Sequence, residues 1–129
     1  MRRTGTAVTA LALLLGSACG SSGSGSPAAA TKPGATVHIP LLSFDPASVS
    51  IKVGQTVTWI NGNDITHELV EGSYHVGGDG LRTSETDDKA FDLKLDKKND
   101  TVSFTYPTAG TFTYYCSIHK GMNASVTVT

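Results

Sequence analysis

The 129-residue sequence lacks two features that would point to other kinds of protein. No stretch beyond residue 18 repeats its hydrophobic residues with the period of an α-helix, which argues against a helical fold. Positive charge is not in excess, because without residues 1–18 eight basic residues stand against eleven acidic ones, a formal net charge of −3. A protein that binds nucleic acid regardless of sequence needs a basic surface, so we expect no nucleic-acid partner.

Cysteine is also scarce, since Cys19 and Cys116 are the only two. The first 18 residues contain Arg2 and Arg3, then an apolar run centred on residues 11–15, then small residues, which is the pattern of a secretory signal peptide. The apolar run is too short to remain across a bilayer, so we expect export. An unpaired cysteine in an exported protein is reactive, pairs between molecules or binds a metal, and Cys116 therefore needs an explanation.

The residues before Cys19, Leu-Gly-Ser-Ala, resemble the end of a bacterial lipoprotein signal, in which the cysteine becomes the lipidated first residue of the mature protein. Leu15 is one position further from the cysteine than usual, so the alternative is an ordinary secreted protein with a cysteine in its leader. Residues 20–34 are rich in Gly, Ser, Pro and Ala, as in a flexible tether. We predict a signal peptide over residues 1–18, a lipid-anchored tether over 19–34 and a folded domain over 35–129. The anchor would hold the domain on the outer face of the cytoplasmic membrane or in the periplasm.

The predicted domain consists of short strands separated by turn residues. Val, Ile, Thr and aromatic residues alternate with period two in seven segments. The predicted strands are Thr36–Ile39, Ser48–Val53, Thr56–Ile60, Ala90–Leu95, Thr101–Tyr106, Gly110–Cys116 and Ala124–Thr129. These segments predict an all-β fold of the β-sandwich class, with one long irregular loop from Gly72 to Asp88.

Soft and borderline metal-donor atoms are concentrated near the end of the chain. Cys116, His119 and Met122 are spaced three residues apart, and alternation along the preceding strand turns Cys116 to the same side as Phe112, toward the core. His67 begins a second apolar alternation further upstream. Two imidazoles, a thiolate and a thioether are the ligand set associated with blue-copper electron-transfer sites.

These residues resemble those of cupredoxins, the blue-copper proteins of the plastocyanin/amicyanin group, over residues 35–129. The resemblance is carried by Trp-Ile-Asn ending six residues before His67, the strand Gly-Thr-Phe-Thr-Tyr-Tyr-Cys, the spacing C-x-x-H-x-x-M, and the closing strand Ala-Ser-Val-Thr-Val-Thr. It implies a Greek-key sandwich that holds one copper ion at one end, cycling between Cu(I) and Cu(II). It further implies that His67, Cys116 and His119 are equatorial ligands, that Met122 is the axial ligand, and that the protein carries electrons between redox partner proteins without being an enzyme.

Three positions depart from the pattern of this family. Glu68 stands where asparagine commonly follows the first histidine and ties the two ligand segments together, so we expect this tie to be lost or altered and the reduction potential to be shifted. Ile118 stands where proline is common, and Lys120 puts a cation where relatives often have an apolar docking surface. We expect copper ligation to survive these changes, whereas the choice of partner is open to change.

The same residues could also serve functions other than electron transfer. A cell-surface copper carrier or buffer would use the same four ligands. A structural zinc site favours more thiolates, and a Cys–His hydrolase needs an accessible thiolate with an oriented base. A multicopper oxidase needs further histidine clusters, whereas the chain has four histidines, of which His38 and His75 are expected to be solvent-exposed. We expect a monomeric electron carrier.

Overall fold

The computed structural model describes residues 31–129, and the predicted signal peptide, Cys19 and the tether up to residue 30 lie outside them. The described residues form eight β-strands and no α-helix. The strands are β1 (Lys32–Ile39), β2 (Ser48–Ile51), β3 (Gln55–Asn61), β4 (His67–Val76), β5 (Arg82–Leu95), β6 (Thr101–Thr105), β7 (Gly110–Cys116) and β8 (Asn123–Val128). Within this part of the chain, no helical segment has the length and hydropathy that crossing a bilayer requires.

The strands form two sheets that pack face to face. The smaller sheet has the order β1-β3-β6, and the larger one has the order β2-β8-β7-β4-β5. β1 is parallel to β3 and β2 is parallel to β8, whereas all other neighbours are antiparallel. The chain passes repeatedly from one sheet to the other, and the predicted all-β, Greek-key sandwich is confirmed.

The core between the sheets is rich in aromatic residues. Trp59 of β3 and Tyr114 of β7 meet across the sandwich with ring centroids 5.3 Å apart, and Phe91 of β5 packs on Trp59 at 5.6 Å. Such aromatic pairs contribute about 0.5–1.5 kcal/mol beyond the burial of their surface. Because Tyr114 precedes Cys116 by two residues, both lie on the same face of β7. The aromatic packing therefore also fixes the strand that ends in the cysteine.

The first strand begins earlier than the sequence analysis predicted. β1 starts at Lys32, inside the segment assigned to the tether, because Lys32 and Pro33 pair with Gln55 and Thr56 of β3. Residues 32–34 therefore belong to the strand. These three residues are exposed, so no buried side chain marks them as a strand in the sequence.

The segment Gly72–Asp88, predicted to be an irregular loop, is instead most of a β-hairpin. β4 continues to Val76, and β5 already begins at Arg82. The turn between them is closed by a hydrogen bond from Gly77 N to Leu81 O at 2.8 Å. Most side chains of this hairpin are exposed, so its sequence lacks the alternation that a buried face imposes.

This β4–β5 hairpin bends back toward the C-x-x-H-x-x-M loop. The pairing of β4 with β5 shifts register where Val70 lies opposite Asp92 and Gly72 lies opposite Asp87, so extra residues of β5 form a bulge there, and bulges bend a strand and increase its twist. Beyond the bulge, the ring of Tyr74 packs against that of Tyr115 on β7, with centroids 6.2 Å apart. At the tip, the backbone N–H of Arg82 donates to Lys120 O at 3.0 Å. The tip of the hairpin thus contacts the loop between β7 and β8.

Candidate metal centre

His67 is the first residue of β4, and the turn before it is shaped by Asn61. Asn61 ends β3 and is fully buried. Its side-chain amide donates to Ile65 O at 3.0 Å, and its Oδ1 accepts from the backbone N–H of Asn63 at 3.2 Å. His67 itself is fully buried and pairs with Leu95 of β5. The Trp-Ile-Asn sequence therefore matters for the site because its asparagine organises the turn that leads to His67.

Cys116 ends β7, and the short loop that follows contains His119 and Met122. Cys116 pairs with Leu69 of β4, two residues after His67. Two backbone hydrogen bonds close the loop, from Met122 N to His119 O and from Cys116 N to Met122 O, both at 3.1 Å. Cys116 is fully buried and Met122 is 1% exposed, whereas His119 is only partly buried. The loop therefore buries the thiol and the thioether and leaves one edge of an imidazole near solvent.

Three donor atoms from distant parts of the sequence converge at this end of the sandwich. Cys116 Sγ lies 3.4 Å from His119 Nδ1 and 4.0 Å from His67 Nδ1. One donor atom from each of the three residues lies within 4.8 Å of the other two. Three ligands around one ion, with bonds of roughly 2.0–2.3 Å, would be roughly 3.5–3.8 Å apart. The observed separations fit a single metal ion bound by all three.

The electrostatics of the site also suit a metal. Burial, with a smaller contribution from the neighbouring His119, lowers the pKa of His67. The imidazole is therefore held in its neutral form, which is the form that binds metals. Soft sulfur together with imidazole favours copper over hard cations such as Mg²⁺ and Ca²⁺. The other two histidines of the described chain, His38 and His75, are exposed, as expected.

Glu68 and Ser117, the residues that follow His67 and Cys116, tie the two ligand segments together. The hydroxyl of Ser117 donates to the Glu68 carboxylate, and the backbone N–H of Ser117 donates to Glu68 O at 2.9 Å. The tie that we expected to be altered is therefore present, with a carboxylate as the acceptor. The other two departures, Ile118 and Lys120, are both exposed on the loop.

Arg82 is the residue of this site that the sequence analysis missed. It is the only arginine among residues 31–129, and it is 3% exposed. Its guanidinium donates to the backbone of the ligand loop, with Nη2 2.6 Å from Cys116 O. Arg82 lies in a polar, glycine-rich segment without periodicity. The one signal in the sequence is that residues 31–129 contain no other arginine.

Comparison with known proteins agrees with this geometry. A family model described as copper-binding proteins of the plastocyanin/azurin family matches residues 32–129. The chain belongs to this family. Its membership makes the protein a copper electron-transfer protein, and the convergent donor atoms support one copper ion as its cofactor.

Relatives within the plastocyanin/azurin family include plastocyanins and amicyanins. The plastocyanin of Scenedesmus fuscus is 34% identical over 90 residues, which cover 68% of this chain and 86% of the relative. The amicyanin of Paracoccus denitrificans is 31% identical over 92 residues, which cover 71% of this chain and 63% of the relative. The chloroplastic plastocyanin of Physcomitrium patens is 30% identical, and the match spans 50% of its length.

Solved structures confirm that the fold is that of a cupredoxin. A purple cupredoxin from Nitrosopumilus maritimus superposes with a TM-score of 0.57 at 25% identity, covering 74% of this chain and 99% of the neighbour. The Cu(I) form of a single-residue mutant of amicyanin gives a TM-score of 0.57 at 27% identity, covering 79% of this chain and 88% of the neighbour. The predicted resemblance to cupredoxins of the plastocyanin/amicyanin group is therefore correct.

Proposed function

We propose that this protein is a mononuclear blue-copper electron carrier that shuttles single electrons between exported or membrane-bound redox partners. In this proposal His67, Cys116 and His119 would hold the copper through Nδ1, Sγ and Nδ1, and Met122 would supply a thioether as the fourth ligand. The observation that carries the proposal is the convergence of the three donor atoms, with separations of 3.4 and 4.0 Å from the sulfur. Bound copper supplies a one-electron couple between Cu(II) and Cu(I).

The role of the chain is to hold the ligands nearly still while the electron is transferred. His67 and Cys116 come from strands β4 and β7, which pair directly next to the site. Met122 is joined by backbone hydrogen bonds to both His119 and Cys116, which supports its place in the same ligand set. Ligands that are fixed by a sheet and a closed loop change position little between oxidation states, which favours fast electron transfer.

Electrons would enter and leave through the edge of His119. His67, Cys116 and Met122 are buried, whereas His119 is partly exposed. The exposed side chains of Ile118 and Lys120 flank it in the sequence, so this surface is both apolar and cationic. A redox partner protein would dock here. The proposed activity is the transfer of single electrons. It has no substrate, and no covalent bond is formed or broken.

The two cysteines of the full chain offer a matched test of the ligand assignment. The copper-loaded, oxidised protein should show an intense thiolate-to-copper band in the visible region. Cys116→Ser should abolish this band, because it removes the only proposed thiolate ligand, whereas Cys19→Ser should retain it. A colourless oxidised protein, or a band that survives Cys116→Ser, would contradict the proposal.

Electron transfer and copper trafficking can be separated by rates. The electron self-exchange rate of the loaded protein would be measured beside the rate at which copper passes to a chelator. We expect fast self-exchange and slow transfer, because three of the four proposed ligands are buried. Slow self-exchange with rapid transfer would instead make the protein a copper carrier or buffer with the same ligands.

We further propose that the protein is exported and lipid-anchored through Cys19, and that it is a monomer. The support for export and for the anchor is the leader sequence and the Gly/Ser/Pro/Ala-rich segment before β1. Mass spectrometry of the mature protein should detect lipid on Cys19, and Cys19→Ser should move the protein from the membrane fraction to the soluble fraction. Wild-type protein found only in the soluble fraction would contradict the anchor.

A further inference from the structure

The guanidinium of Arg82 bonds to the backbone of all three proposed ligand residues that lie in the loop after β7. Nη2 donates to Cys116 O at 2.6 Å, and Nη1 contacts His119 O at 3.2 Å and Met122 O at 3.1 Å. Nη1 also lies 2.9 Å from Oδ1 of Asn123, the first residue of β8. One planar group thus joins both ends of the loop and its middle.

The same guanidinium is fixed from its other sides. Its Nε donates to the carboxylate of Glu85 at 2.7 Å, and its central carbon lies 4.5 Å from the centre of the Tyr115 ring. The side chain of Arg82 has no exposed surface. Arginine presents five donors in a rigid plane, whereas lysine presents its donors from a single atom on a flexible stem. The ion pair and the ring therefore hold a preformed fork against the loop.

The loop itself provides few other restraints at these positions. Its own backbone contributes the two hydrogen bonds from Cys116 N to Met122 O and from Met122 N to His119 O. Both acceptor carbonyls of these bonds are also contacted by Arg82. The guanidinium therefore supports the same carbonyl groups on which closure of the loop depends.

We propose that Arg82 is a positioning residue that holds the ligand loop in its metal-binding conformation before copper arrives and in both oxidation states. It acts through the backbone of Cys116, His119 and Met122 and touches no proposed donor atom. The inference rests on the ligand assignment proposed above. Removing a group that orients metal ligands without itself touching the metal typically weakens metal affinity by about 10–100-fold.

The test compares Arg82→Met and Arg82→Lys with the wild type. In the copper-free protein, we expect the amide hydrogens of Cys116 and Met122 to exchange faster in both variants. Cu(I) affinity, measured by competition with a chelator, should fall by about 10–100-fold. The relative intensities of the visible bands of the Cu(II) form should change as well. Arg82→Lys keeps the charge but not the fork, so near-normal behaviour of this variant would overturn the role assigned to the fork.

Lys94→Met is the matched control, because it removes a cation of the same strand, β5, whose side chain is 61% exposed and pairs with Asp96 rather than with the loop. We expect this control to retain loop exchange and Cu(I) affinity close to wild type. If the Arg82 variants only lower the melting temperature, with loop exchange, affinity and spectrum unchanged, Arg82 is merely structural and the proposal is wrong.

Wild-type protein alone also tests the proposal, in case neither Arg82 variant folds. In its copper-free form, the amides of Cys116 and Met122 should exchange as slowly as amides within the paired strands β7 and β8. Rapid exchange there would overturn the proposal. This measurement uses no copper, so its outcome is independent of the visible band that tests the ligand assignment.

Discussion

Glu71 is an acidic side chain inside the sandwich, and its removal should change how stability depends on pH. It pairs with Tyr114 across β4 and β7, so the two side chains lie on the same, core-facing side of the sheet. Glu71 is 6% exposed, and its Oε2 has no hydrogen-bond partner among the described residues. Burial, with a smaller contribution from Asp88, raises the pKa of this carboxyl group. The folded protein therefore keeps the proton at pH values where the unfolded chain has released it.

The raised pKa of Glu71 determines the sign and the slope of the change in unfolding free energy with pH. Above the ordinary pKa of 4.5, the unfolded state loses its proton while the folded state retains it, so rising pH favours unfolding. For one such group the free energy of unfolding falls by about 1.4 kcal/mol per pH unit, until the pH reaches the raised pKa of the folded state. In a domain of this size, about 1 kcal/mol corresponds to roughly 4–8 °C in melting temperature.

Glu71→Gln keeps the shape of the side chain and removes its titration. Urea unfolding of the copper-free protein would be measured from pH 4 to pH 8 for the wild type and this variant. We expect similar stability at pH 4 and a growing advantage of Glu71→Gln as the pH rises. Asp92→Asn removes an exposed carboxylate on β5. Its curve of unfolding free energy against pH should run parallel to that of the wild type. Parallel profiles for Glu71→Gln as well would refute the assignment of a protonated carboxyl group in the core.

Two further substitutions test contacts near the site. Gly72→Ala places a Cβ in steric overlap with Thr86 O and 2.9 Å from the carbonyl carbon of Thr86, so we expect a loss of about 1–3 kcal/mol in unfolding free energy. Gly78→Ala, with open space around it, should change little, and equal urea midpoints for the two would contradict the packing argument. Ser117→Ala removes the hydroxyl bond to Glu68, and we expect a loss of about 1 kcal/mol and a shifted copper potential by voltammetry. Unchanged stability and potential would show that this tie contributes nothing.

The strands that could be predicted from the sequence are those with one buried face. Ala124–Thr129 was predicted within one residue of the observed bounds Asn123–Val128, because Ala124, Val126 and Val128 are buried and alternate with partly exposed residues. Of the β4–β5 hairpin, only Ala90–Leu95 was predicted as a strand and only an apolar alternation was noted from His67, because most of the remaining side chains are exposed and their pairing is made by the backbone. Backbone pairing leaves little trace in a single sequence, whereas burial leaves a periodic one.

The convergence of the donor atoms could be predicted, whereas the groups that support them could not. Cys116 and His119 are three residues apart. His67 was assigned to the same site because its distance from the Trp-Ile-Asn sequence resembles that in cupredoxins. The bond from Ser117 to Glu68 depends on how β4 lies against the loop after β7, which no local pattern specifies. Arg82 is distant from the loop in sequence and meets it only in the folded protein, where it lies at the start of β5 near the tip of the hairpin, so its role depends on tertiary structure.

The contact between the β4–β5 hairpin and the ligand loop limits how freely the site can be engineered. By sequence alone, the seven-residue loop from Cys116 to Met122 looks self-contained, as if it could be exchanged with the corresponding loop of another cupredoxin. Here the carbonyl groups of that loop are bound by Arg82, a side chain 34 to 40 positions earlier in the chain. If this loop alone were moved into another cupredoxin, its carbonyls would lose their hydrogen bonds to Arg82. The β4–β5 hairpin would therefore have to be transferred together with the loop.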